Sequence, residues 1–105
     1  MHKYRVLINC ENLLSEIDGA RKRLGFYTHV FVEAFTSADA ESRAIKLLHE
    51  DAALRDIQLN SEDAPLKLSI EETEKLESFD GFKVPRSSFM LYEIEKSGLT
   101  PRRIR

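Results

Sequence analysis

Cys10, in LINCENL (7–13), is the single cysteine of the chain, and His2, His29 and His49 are its three histidines. A thiol becomes a nucleophile when a base accepts its proton or lowers its pKa. His29 is the only imidazole in a segment placed to neighbour Cys10. No ligand-like spacing joins the histidines to each other or to Cys10, so the sequence predicts no metal site and no cofactor. Glu71, Glu72, Glu74, Glu77 and Asp80 could pair for acid–base work or hold a divalent cation. They match no calcium loop and read as a solvated acidic face, with the docking of a basic partner as a further use.

GFYTHVF (25–31) invites comparison with the aromatic strand motif of RNA-recognition domains. Leu24 stands where that motif has a basic residue, and Tyr27 where it has a small one. Arg21, Lys22 and Arg23 beside Tyr27 and Phe31 keep a local single-stranded RNA site as a reading. The charge balance opposes general nucleic-acid binding. Residues 1–35 carry +1, residues 36–80 carry −7 and residues 81–105 carry +4, for a total of −2. A general nucleic-acid binder needs a basic surface to displace counterions from phosphate. No phosphate-cradling glycine loop, serine elbow or zinc spacing occurs.

The elements that must position these residues follow from periodicity. Tyr4 to Cys10 alternates as a strand, with Tyr4, Val6, Ile8 and Cys10 on one face and Arg5, Leu7 and Asn9 on the other. Leu13–Ile17 extends it or forms a second short strand, Asp18-Gly19 turns, and Gly25 ends the connection. Phe26–Phe35 is the next strand. Phe26, Thr28, Val30, Val32 and Ala34 share one face; Tyr27, His29, Phe31, Glu33 and Phe35 share the other. Cys10 and His29 therefore project to opposite sides of the sheet, and a bulge near Asn12 lies too far downstream to change that. Cys10 is assigned to the core.

A helix over about 37–51 begins at Thr36 or Ser37, with Ser37 able to cap it, and carries an apolar stripe of Ala40, Ala44, Leu47 and Leu48 beside Ile45. It fades near Asp51, with Ala52–Arg55 open to a further turn. His49 near its end complements the helix dipole. Ile57 and Leu59 suggest a short strand, and NSEDAP (60–65) a loop. Leu66, Leu68 and Ile70 begin a strand running towards Leu76, against a competing helix capped by Ser69. FDGFKVPRSS connects to a last strand over Ser88–Glu95. At 105 residues the chain reads as one domain over 1–95 with a basic tail at 96–105.

The fold class is α+β: a largely antiparallel four- to five-stranded sheet with one main helix on one face, partly ferredoxin-like. YRVLINCEN, the Asp-Gly turn, GFYTHVFVEA and the elements around KLESFDGFKVP resemble a group of small bacterial proteins of unassigned function. The resemblance spans most of 3–94 and implies a fold, with no activity to carry over.

One helix covers one sheet face. Leu7, Tyr27, Phe31 and Phe35 are then left on the other, which a second copy of the chain would cover. The first functional expectation is a non-enzymatic, homodimeric accessory module using that face. The second is a small-ligand-binding protein or enzyme with a site at a subunit interface near His29, using Tyr27, Glu33 and Arg23. The third is a weak single-stranded RNA binder. The longest apolar runs fall short of a membrane span, the N-terminus lacks the pattern of a signal peptide, and one cysteine forms no internal disulfide. The expected location is the cytoplasm.

Overall fold

Alternating apolar residues extend the chain into β1 (His2–Ile17). Asp18 and Gly19, with φ of 52° and 80°, supply the two positive-φ positions of a tight hairpin turn. The chain returns as β2 (Ala20–Ala34). The computed structural model describes residues 1–61 and 64–94 and the backbone pairing of Arg102 and Arg103. β1 and β2 pair from His2↔Ala34 to Ile17↔Ala20 with one irregularity, between Cys10 and Leu13. The extra residue there opposes a single position of β2, so Leu13 regains the face of Cys10 and pairs with Leu24. Without this bulge, Leu13 and Ser15 would point away from the core.

Thr36 caps α1 (Ser37–His49), its hydroxyl accepting from the Asp39 amide at 3.1 Å. The cap therefore lies one residue before the expected Ser37, and the helix ends two residues before the expected limit. Asp51 caps a second short helix, α2 (Ala52–Ile57), which contains the further turn open to Ala52–Arg55 and replaces the strand expected at Ile57. Leu59 keeps one strand-like bond, its N–H donating to the Leu14 carbonyl at 2.7 Å. The Asn60 side chain accepts from Leu14 N–H and donates to the Asn12 carbonyl, tying this connection to the bulge of β1.

β3 (Leu68–Leu76) is a strand, not the competing helix, and it pairs antiparallel with β1. β4 (Met90–Glu93) pairs antiparallel with β2 over Leu24–Tyr27 and is shorter than the expected Ser88–Glu95. Arg102 and Arg103 form β5 beside β4, giving the order β3-β1-β2-β4-β5. Glu62 and Asp63 of the expected loop, Glu95 of the expected last strand, and the expected tail apart from Arg102 and Arg103 lie outside the described residues. β2 and β3 both oppose β1 and so run parallel to each other with β1 between them. α1 makes the crossover between β2 and β3.

The core lies between α1 and one sheet face. Val6, Ile8, Cys10, Leu13, Phe26 and Val30 pack there under Ala40, Ala44 and Leu48 of α1 and Leu54 of α2. The small alanines let the helix backbone approach the sheet. Leu47 departs from its expected place in this stripe and is 44% exposed. No second long helix covers the opposite face among the described residues. Instead, the connection from β3 to β4 crosses it, and Phe79 and Phe82 lie against Phe31 with ring centroids 6.0 and 5.2 Å away.

Gly25 sits inside β2, opposite Tyr92, rather than at the end of a connection. The Tyr92 ring lies over it, and a Cβ added at Gly25 would fall within that ring. Tyr92 also donates its hydroxyl to Asn9 Oδ1 at 2.7 Å and stands 5.5 Å from Tyr27 between ring centroids. Gly25→Ala should destabilise the fold by about 1–3 kcal/mol through overpacking. Urea denaturation checks this. The cost should shrink to less than half in a Tyr92→Leu background, which lacks the colliding ring atoms.

Candidate functional site

Cys10 is fully buried, level with Phe26 on one side and Leu68 on the other. Burial raises its thiol pKa. His29 is level with Leu7, an odd number of residues away along β1, so the two side chains occupy opposite faces as the alternation predicts. No dyad forms. Among the described residues, no three His, Cys, Asp or Glu groups stand close enough to hold a metal ion. No helix there is long and apolar enough to cross a membrane.

The expected ligand residues are spread along β2. Arg23 and Glu33 are ten residues apart, or about 33 Å in an extended strand. Arg23 is held by the Asn12 side chain and Glu33 by Lys3 at 3.5 Å. His29 is half-buried beside Arg5, Leu7, Glu72 and Glu74, around a cavity of about 30 Å³, the volume of roughly one water. Burial, and then the Arg5 guanidinium, push its pKa below the ordinary value, while Glu72 and Glu74 oppose that shift. Arg5 is itself paired with Glu74.

The apolar sheet face is not open as expected. Phe31 is only 6% exposed, because Phe79 and Phe82 from the β3–β4 connection cover it and Arg5 lies over Phe82. Leu7 is half-buried, and Tyr27 is 36% exposed beside Tyr92. Phe35 alone of the four stands well clear, at 71% exposed. The covered Phe31 also removes the Tyr27–Phe31 stacking platform on which the RNA reading drew.

A different surface emerges at the outer edge of β2. Val30 bridges Arg86, with Phe31 N–H donating to the Pro85 carbonyl at 2.8 Å and Ser87 N–H donating to the His29 carbonyl at 2.9 Å. The next bond of an antiparallel ladder would run from the amide of residue 85 to the Phe31 carbonyl. Proline has no N–H, and the ladder stops there. Strand alternation turns the N–H and C=O of Glu33 to the same outer side. Among the described residues no strand lies beside them.

Arg86 fixes this end point. Its guanidinium forks onto Asp51, with Nε 2.6 Å from Oδ2, and stacks 4.0 Å over the Phe89 ring. Those hydrogen bonds hold the Asp51 carboxyl below the usual carboxylate range. Beyond Pro85 a groove of about 800 Å³ runs between β2 and α1. Phe31 and Phe79 line its floor beside Val32 and Glu33, and Arg43, Lys46 and Leu47 form its helix wall. Sequence reasoning missed this groove. The one signal in the sequence was Pro85, which has no N–H to extend a ladder; the exposure of Leu47 emerges only in the structure.

Two measurements check the site assignments. Native Cys10 should react with a thiol reagent at least about a hundredfold more slowly than in the denatured chain, reflecting the rarity of opening. Because the folded pKa of His29 is lowered, the unfolded chain binds more protons as pH falls below about 6.5. Stability should therefore decline with falling pH down to the folded pKa. His29→Gln should flatten that part of the curve in urea titrations. No family model, curated protein or solved structure matches the chain, so its functional reading rests on the geometry of the β2 edge.

Proposed function

We propose that this protein is a non-catalytic interaction module that docks a protein partner along the outer edge of β2 beyond Phe31. The observation that carries this reading is the ladder cut short at Pro85 beside a groove rimmed by exposed apolar side chains. Met1 and Leu47 line the groove, 64% and 44% exposed, and Phe35 lies just beyond Val32–Ala34. Proteins normally blunt a free sheet edge with charge. β3 does so with Glu71, Glu72, Glu74 and Lys75. Over Val32–Ala34, β2 offers only Glu33, which Lys3 neutralises.

A homodimer across the sheet face has less support, because the chain's own β3–β4 connection occupies the centre of that face. A small-ligand site at His29 also has less support, since its cavity holds about one water. A lone buried thiol suits a reducing compartment, and the cytoplasm is the proposed location.

Selection from a displayed random-peptide library tests the reading. Enriched peptides should bind wild type and lose at least about tenfold in affinity on Leu47→Asp, as expected for a central apolar contact. Enriched peptides indifferent to Leu47→Asp would sink it. So would a metal ion or nucleotide that raises Tm while leaving peptide binding absent.

A further inference from the structure

We infer that the β2–α1 groove takes an extended peptide segment of another protein as an added strand, with acidic residues towards α1 and apolar residues on the opposite side. This rests on the interaction-edge reading and specifies the chemistry of its occupant. The Phe31 carbonyl and the N–H and C=O of Glu33 face outward at strand spacing, continuing the line on which residues 85–87 already pair with β2. A strand entering there takes up the ladder where Pro85 left it, and main-chain bonds supply sequence-tolerant affinity.

Side-chain alternation then sets specificity. Neighbouring residues of an added strand point to opposite sides of the sheet. Those on the helix side meet Arg43, Lys46 and Leu47; those on the other side meet Phe31, Phe79 and Met1. Glu50 also lies on the helix wall and offsets one of its two cations, Arg43 and Lys46. Arg43 is shared with Asp39 at 3.2 Å. Lys46 has no ion-pair partner among the described residues. Across the groove, Glu33 is shared with Lys3, and the remaining lining is apolar. An acidic side chain opposite Lys46 and an apolar one over Phe31 and Phe79 match the two walls.

The probes are amidated nine-residue peptides alternating glutamate with valine, or lysine with valine. Each is titrated into the full-length ¹⁵N-labelled protein at low salt, where such charge effects are least screened. The glutamate peptide should shift resonances at 31–35 and 43–50 and bind at least about fivefold tighter than the lysine peptide. Lys46→Glu, an exposed change, should reverse that preference. At saturation, amide exchange of Glu33 should slow at least about tenfold, which a contact through side chains alone would not cause. Equal binding of the two peptides, an unchanged preference in Lys46→Glu, or unprotected Glu33 would each overturn the inference. If library peptides depend on Leu47 while the glutamate peptide fails, the chemistry assigned here falls and the interaction edge stands. Light-scattering evidence of a dimer broken by Leu47→Asp would likewise replace the foreign segment with a second copy.

Discussion

Every other element is placed by the face parity of the β1–β2 hairpin. Its ladder runs nearly the whole length of both strands with a single bulge, and that bulge keeps Leu13 and Leu24 in line with Cys10 and Phe26. Were the parity lost, half of the hairpin's apolar side chains would face away from α1. The helix, the second short helix and β3 all take their positions from the apolar face so defined. The β3–β4 connection takes its position from the opposite face, through Phe31.

Among the described residues, the edge of β3 and the end of the β2 edge are treated differently. β3 carries three glutamates and a lysine within Glu71–Lys75, which discourage a further strand. The edge of β2 is occupied by β4, then by the bridge at Arg86, and then by nothing described beyond Pro85. The Arg86–Asp51 fork makes that stopping point a structural fixture, because it ties the bridge to the junction between the two helices.

Much of the fold was legible because it obeys local rules. Alternation revealed β1, β2 and β3, Asp18-Gly19 revealed the turn, and the stripe of Ala40, Ala44 and Leu48 revealed α1. Parity alone separated Cys10 from His29. The misreadings came where distant residues decide. Gly25 looked like a boundary because its partner, Tyr92, comes from a strand much later in the chain. Phe31 looked exposed because the aromatic residues that cover it lie in a segment whose composition suggests only a connection. Ile57 sits in α2 because Asp51 caps a helix that a six-residue stretch barely announces. The groove was hidden for a related reason: it depends on where one ladder stops, and periodicity within a strand does not report the extent of its neighbour.

Tyr92 over Gly25 also joins two distant positions into one unit of sequence variation. A side chain acquired at position 25 collides with the aromatic ring at 92 unless that ring shifts or is lost. Loss of that ring in turn removes the hydroxyl that donates to the Oδ1 of buried Asn9. A substitution at any one of the three positions therefore changes what the other two tolerate.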